Sequence, residues 1–118
     1  MTKLNDNGDD TMFDKIDKLK AELIEASHEL TTRIEEYENK LKGIGVTVYI
    51  PLDEDCFLGY AKLDRWGLVS CFKDKAQLRF LVHAPRYIRL MAMDKMPELI
   101  KELELKAEDT IQKLKDAK

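Results

Sequence analysis

Arginine is concentrated in one part of the chain. Four of the five arginines, Arg65, Arg79, Arg86 and Arg89, fall within one short stretch, whereas lysine supplies nearly all the positive charge elsewhere. A guanidinium group presents its donors as a planar fork that suits phosphate, carboxylate and ring stacking. The concentration therefore favours a site that binds an anion.

Other side chains suited to ligand binding lie in the same stretch. Trp66 directly follows Arg65, and an indole there would stack on a planar ring while guanidinium groups hold a phosphate. Strand alternation predicts that Arg79 and His83 share one face, just before a helix whose first N–H groups favour an anion. We expect the ligand site to consist of Arg65, Trp66, Arg79, His83, Arg86, Arg89 and Tyr60.

Purely structural roles would account for the same arginine and aromatic residues. Arg86 and Arg89 are three residues apart and also fit ion pairs with Asp94 or with glutamates of the first helix. A tryptophan is commonly a core residue, and arginine with aromatic residues is also what protein interfaces concentrate. The cluster is therefore compatible with recognition of a small anion or of another protein.

Residues able to catalyse a reaction are sparse. His28 lies among polar helix residues far from His83, and two histidines do not supply a zinc site. Cys56 and Cys71 have neither zinc-site nor redox-motif spacing, and we expect thiols, although a tight turn between them would also permit a cross-strand disulfide. We expect no catalytic residue, no metal and no cofactor.

Composition excludes two classes of partner. The net charge of -3 argues against binding of duplex nucleic acid, which depends on many basic residues. No stretch approaches the roughly 20 apolar residues that cross a bilayer, and the polar, acidic start does not resemble a signal peptide. We expect a cytoplasmic protein without a membrane partner.

The first element is a long helix. Residues 1–11 are polar and predict a disordered tail, whereas residues 12–42 contain neither glycine nor proline. About 30 helical residues span roughly 45 Å, which is longer than a small domain covers with its own core. We therefore expect a homo-oligomer joined through this helix, whose apolar stripe consists of Phe13, Ile16, Leu19, Leu23, Ala26, Leu30, Ile34, Tyr37 and Leu41.

The middle of the chain predicts strands and the last third predicts helix. Residues 45–83 contain four short β-rich runs separated by tight turns, which indicate an antiparallel meander. Residues 85–117 return to helical spacing, with Pro85 at a first helical position and Pro97 expected to kink or restart the helix. The predicted fold is α+β: a long N-terminal helix, a four-stranded antiparallel β-meander and a kinked C-terminal helix, in one domain over residues 12–118.

Several short motifs resemble a pattern in small uncharacterised proteins of phages and mobile elements. They are Leu58-Gly59-Tyr60-Ala61-Lys62, Trp66-Gly67-Leu68, Ala84-Pro85-Arg86 with Arg89, and Met96-Pro97-Glu98-Leu99. Phage accessory proteins of this size resemble inhibitors of host defence enzymes or oligomers that sequester nucleotide signals. The resemblance implies a non-catalytic, counter-defence role, with Arg86 and Arg89 as the matching basic positions.

Overall fold

The chain forms two helices and one antiparallel sheet. The computed structural model describes the backbone of residues 2–74 and 77–117, and the side chains of residues 11–74 and 77–117. The chain divides into two compact units, Met1–Leu30 and Thr31–Lys118. The elements are α1 (Thr2–Leu41), β1 (Val48–Pro51), β2 (Cys56–Lys62), β3 (Trp66–Phe72), β4 (Arg79–Phe80), a 3₁₀ turn (Leu81–His83) and α2 (Arg86–Asp116).

The α+β class and the antiparallel meander predicted from the sequence are confirmed. The strands lie in the order β1-β2-β3-β4, and each neighbouring pair is antiparallel. The long first helix is also confirmed and is assigned from Thr2, earlier than the expected start at Met12. The tail over residues 1–11 and the single domain over residues 12–118 stay predictions, because the side chains of residues 1–10 lie outside the described part of the chain.

The fourth strand is shorter than the sequence pattern suggested. Instead of running to His83, β4 ends at Phe80, and a 3₁₀ turn follows. The N–H of Ala84 closes this turn on the carbonyl of Leu81, so the chain reverses before Pro85 opens the last helix. Because the strand stops at Phe80, alternation does not extend to His83, and the inference that placed it on the face of Arg79 no longer applies.

The last helix is continuous through Pro97. Proline lacks the N–H that would bond to Met93, but Pro97 is exposed, so that carbonyl lies on the side nearest water. One helix therefore replaces the expected pair, and a bend at Pro97 stays a prediction. The buried side of the helix consists of Ile88, Ala92, Met96, Leu99 and Leu103.

The core of the second unit lies between the sheet and the helices. Leu58 and Tyr60 of β2 share a face with Leu68 of β3, and all three are almost completely buried. Helix α2 lies against β1 and β2, where Ile50 is also buried. Burial of these apolar side chains is the main favourable contribution to folding. No helix among the described residues is both long enough and apolar enough for a membrane span.

The tight turn between β1 and β2 is held by one carboxylate. Oδ1 of Asp53 accepts hydrogen bonds from the N–H groups of Asp55 and Cys56, at 2.7 and 2.9 Å. The hydrogen bond from Asp55, and to a lesser degree the bond from Cys56, favours the charged form of Asp53. Both bonds therefore lower the pKa of Asp53 below its usual value. The turn therefore uses the local side-chain bonding that makes aspartate common in turns.

The carboxylate of Glu38 joins the end of α1 to β3. Because β4 pairs only with Val69 and Ser70, the N–H of Leu68 has no strand partner there, and it donates to Oε2 of Glu38 at 2.8 Å. The other oxygen lies 3.5 Å from Nη1 of Arg65. Glu38 is nearly buried, so the loss of either partner would leave a polar group without water to replace it.

Gly67 makes room for this arrangement. A Cβ at Gly67 would lie 2.9 Å from Nη1 of Arg65, Oε2 of Glu38 and a ring carbon of Phe80. Real side chains do not tolerate such contacts, so the groups would have to move apart. Glycine at this position therefore permits the close approach of these side chains, and it does not serve an unusual backbone conformation.

We expect Glu38→Ala to lower the free energy of unfolding by about 1–3 kcal/mol, because it leaves the Leu68 N–H and the Arg65 guanidinium without their acceptor. Glu38→Gln keeps a neutral acceptor and should cost less. The exposed Glu35 lies on the same helix, and Glu35→Ala should change stability by less than about 0.5 kcal/mol. Urea denaturation of the three variants measures these differences, and equal losses for Glu38→Ala and Glu35→Ala would contradict the expected role of Glu38.

Candidate functional site

Arg65 is engaged within the protein. Besides its ion pair with Glu38, its guanidinium carbon lies 4.1 Å from the ring centroid of Phe80, and Nη1 donates to the carbonyl of Trp66 at 3.1 Å. These contacts stabilise the β2–β3 hairpin against α1 and hold the cation over an aromatic face. The guanidinium was expected to bind a ligand; its three contacts here are within the protein, and a ligand role for the half-exposed side chain stays a prediction.

Tyr60 and Trp66 stack on each other. Their ring centroids are 5.6 Å apart and the ring planes differ by 18°. Tyr60 is 1% exposed, and its hydroxyl donates to the carbonyl of Leu41 at 3.3 Å. Burial, and to a lesser degree the charge of Glu38, raises the pKa of Tyr60. Tyr60 therefore offers no open ring face for a ligand in this structure, and one face of Trp66 is covered.

Arg89 is also part of the framework. It is half-buried, and its Nη1 donates to Oγ1 of Thr31 at 2.6 Å. The expected partners in the structural interpretation were Asp94 or glutamates of the first helix, and one hydrogen bond of Arg89 goes to the hydroxyl of Thr31. Arg89 thus connects α2 to the last part of α1 within the second unit.

Arg86 and His83 are both exposed at the surface. Neither lines the cleft that opens between the end of β3, β4 and the start of α2. The structure therefore does not bring all seven expected residues together. Arg79 alone among them lines that cleft.

The cleft opens between the end of β3, β4 and the start of α2. It has a volume of about 290 Å³ and both polar and apolar walls. Seven residues line it: Ser70, Cys71, Phe72, Gln77, Arg79, Pro85 and Tyr87. A cleft of this size lies near the lower end of the range of about 300–1,000 Å³ that is usual for small-molecule sites.

Ser70 and Arg79 form the polar part of the cleft. They are directly opposite each other in the β3–β4 register, so their side chains leave the sheet on the same side. Ser70 is 8% exposed and is the only buried polar residue among the described side chains. Neither side chain has a hydrogen bond or ion pair with another described residue. A hydroxyl that faces a cleft beside an unpaired guanidinium is a donor set for an anion.

The start of α2 adds backbone donors. Pro85 is the N-cap residue, and no side chain caps the helix, so the first helical N–H groups, those of Arg86 and Tyr87, lack a side-chain acceptor. Pro85 and Tyr87 themselves line the cleft. The positive end of the helix dipole therefore lies next to Arg79 and Ser70.

Six residues of this cleft were not among the expected site residues: Ser70, Cys71, Phe72, Gln77, Pro85 and Tyr87. One signal was present, because Ser70 is a single hydroxyl in the otherwise apolar strand Gly67-Leu68-Val69-Ser70-Cys71-Phe72. For Tyr87, the sequence indicates only that its side chain points in a different direction from the side chains of Arg86 and Arg89 on a helix. Its place in the cleft depends on where the 3₁₀ turn directs α2, which strand alternation does not predict.

A second hollow lies on the sheet and is apolar. It has a volume of about 310 Å³ and is lined by Tyr49, Phe57, Cys71 and Leu78. The ring of Tyr49 lies over Gly59 of the neighbouring strand and is about half exposed. Exposed aromatic surface of this kind is typical of contacts with other proteins.

No group of three or more histidine, cysteine or acidic side chains within the described ranges is arranged to hold a metal ion. Comparison with protein-family models, with curated proteins and with solved structures finds no match to this chain. The resemblance to phage and mobile-element proteins therefore stays a prediction.

The two cysteines are free thiols in different environments. Cys56 is opposite Phe72 and Cys71 is opposite Phe57, so the cysteines are not cross-strand partners and point to opposite faces. Burial raises the pKa of Cys56 to about 11, and the neighbouring Asp53 carboxylate adds to the increase. Cys71 is only half-buried.

We expect iodoacetamide at about pH 8 to alkylate Cys71 at least about tenfold faster than Cys56, because the thiolate is the reactive form and Cys56 is both buried and protonated at that pH. Peptide mass spectrometry over a time course measures the two rates, and a sample unfolded in urea provides the control. Equal rates in the folded protein, or a disulfide between the two cysteines, would contradict this description.

Proposed function

We propose that this protein is a non-enzymatic, cytoplasmic, oligomeric binding protein that captures a small phosphate-bearing ligand, such as a nucleotide, in the cleft beside Arg79. The observation that carries the proposal is the pairing of Ser70, which lines the cleft, with the unpaired guanidinium of Arg79 opposite it in the β3–β4 register, at the uncapped start of α2. The predicted function is kept, but the binding residues differ from those expected from the sequence.

The phosphate is held by three kinds of donor. Arg79 binds two phosphate oxygens with its planar fork, and charge-assisted bonds of this kind are stronger than neutral ones. Ser70 donates its hydroxyl from the floor of the cleft. The N–H groups of Arg86 and Tyr87 complete the site at the positive end of the helix.

The remaining walls suit a planar ring. Phe72 and Tyr87 provide aromatic surface, and Gln77 provides an amide that both donates and accepts hydrogen bonds. The volume of about 290 Å³ favours a mononucleotide over a dinucleotide. Specificity for the base would then depend on Gln77, since the aromatic walls accept any ring.

Capture is favoured over turnover. Among the described residues that line the cleft, none has a carboxylate or an imidazole to act as a general base. The Cys71 thiol is the strongest nucleophile of the described lining, and that lining offers it no general base. A protein that binds without turnover fits the sequestering role that the resemblance to phage accessory proteins implies.

We expect Arg79→Ala to weaken binding of a nucleoside monophosphate by about 10- to 100-fold, because hydrogen bonds to a charged group contribute about 1.5–3 kcal/mol. Arg86→Ala is the matched control, since Arg86 is exposed and outside the cleft lining, and it should change the dissociation constant by less than about threefold. Isothermal titration calorimetry with mono-, di- and cyclic nucleotides, and with inorganic phosphate, measures the constants.

Two outcomes would count against the ligand site. If Arg86→Ala weakens binding as strongly as Arg79→Ala, the ligand binds at the arginine cluster expected from the sequence and not in the cleft. Absence of binding with every nucleotide, in a protein that is folded and unchanged in thermal stability, would favour another function.

The second candidate is an adaptor or an inhibitor of a host enzyme. It was expected to act through the arginine and aromatic cluster, and the apolar hollow at Tyr49 and Phe57 is the surface that supports it best. The half-exposed tyrosine is the kind of anchor that interfaces use. Nucleotide binding that Arg79→Ala abolishes would separate the first candidate from this one.

A further inference from the structure

The first unit exposes an apolar stripe that is confined to one part of α1. The stripe consists of Met12, Ile16, Leu19 and Leu23, which are 67%, 48%, 45% and 48% exposed. Their spacing of four, three and four residues places them along one side of the helix. Further along the same side, exposure falls to 9% at Leu30. Among the described side chains, the surface that needs a partner therefore runs from Met12 to Leu23.

We propose that this stripe binds the same stripe of a second copy with the two helices antiparallel. The midpoint of the stripe lies between Asp17 and Lys18. A twofold axis at that point sets Met12 against the partner's Leu23 and Ile16 against the partner's Leu19, and by symmetry the reverse. Every exposed side chain of the stripe then contacts an apolar side chain, as in a coiled-coil seam.

Charges beside the stripe favour the antiparallel direction. In this register Lys15 lies next to the partner's Glu22, and the symmetry produces the same pair twice. In a parallel pairing, the residue beside Lys15 would be the partner's Lys20, which is repulsive. Neither Lys15 nor Glu22 has an ion pair with another described side chain, whereas Lys20 lies 3.7 Å from Asp17.

The exposed stripe determines the register of the two helices, and the flanking charges agree with that register. The position of the axis follows from exposure alone, and the pairing of Lys15 with Glu22 then follows without adjustment. Self-association through the stripe rests on, and deepens, the oligomeric part of the proposed function. It does not depend on the cleft at Arg79, so ligand binding and self-association fail or succeed separately.

The decisive experiment is a charge exchange in the full chain, followed by sedimentation equilibrium at low ionic strength, where screening is weakest. Lys15→Glu and Glu22→Lys should each weaken the dimer by about tenfold, because each replaces two attractive pairs by two repulsive ones. The variant with both changes restores opposite charges and should return to within about threefold of the original dissociation constant.

An apolar variant with a matched control tests the seam itself. Ile16→Ser should abolish the dimer, while Ile24→Ser removes the same side chain from an exposed position outside the stripe and should leave the dimer intact. Both isoleucines are exposed, so circular dichroism and urea unfolding should show an unchanged fold in each variant.

Three results would overturn the proposal. The first is a monomer at every concentration tested, which would indicate that the stripe binds a different protein. The second is stronger association of the Lys15→Glu variant, as a parallel pairing requires. The third is a double charge exchange that does not restore the dimer, which would exclude this register.

Discussion

The hydrogen bond from the Leu68 N–H to the Glu38 carboxylate is the contact on which the arrangement of the second unit depends. A sheet whose last strand has two residues leaves part of β3 without a partner, and a carboxylate from α1 takes the place of the missing strand. The same carboxylate pairs with Arg65, which covers Phe80 of β4. One acidic side chain therefore connects the helix, the β2–β3 hairpin and the edge strand.

Contacts with α1 distinguish Arg65 and Arg89 from Arg79. Arg65 and Arg89 both bind groups at the end of α1, which are Glu38 and Thr31 respectively. They hold the framework that fixes β3 and α2 relative to each other. Arg79 instead lines the cleft where β4 ends early and the chain turns into α2. The short strand therefore creates both the need for Glu38 and the opening beside Arg79.

Much of the fold was predictable from the sequence because its signals are local. Apolar spacing predicted the long first helix, and alternation with turn residues predicted the order and direction of the strands. The end of β4 was not predictable in the same way, since the run from Gln77 to His83 has strand-like alternation. In the structure Leu81 is buried and the N–H of Ala84 bonds to its carbonyl in a 3₁₀ turn. Because the strand ends at Phe80, strand alternation no longer places His83 on the face of Arg79.

The candidate site was only partly predictable for a related reason. Residue type identified arginine as the chemistry of interest, but it does not distinguish a guanidinium that meets a carboxylate from one that faces a cleft. Glu38 is 27 positions before Arg65 in the chain, and nothing in the sequence indicates that it reaches β3. Ser70 carried a recognisable signal as a lone hydroxyl in an apolar strand, and its position opposite Arg79 required the register.

The central claim is that an anion binds between Arg79, Ser70 and the start of α2. A ¹H–¹⁵N correlation spectrum recorded during titration with a nucleoside monophosphate tests it most directly, because each backbone amide reports separately. We predict that the largest shifts occur at the amides of Ser70, Arg79, Arg86 and Tyr87, and that Lys62 to Trp66 change little. Shifts centred on the Arg65 hairpin, or no shifts at millimolar ligand, would contradict the claim.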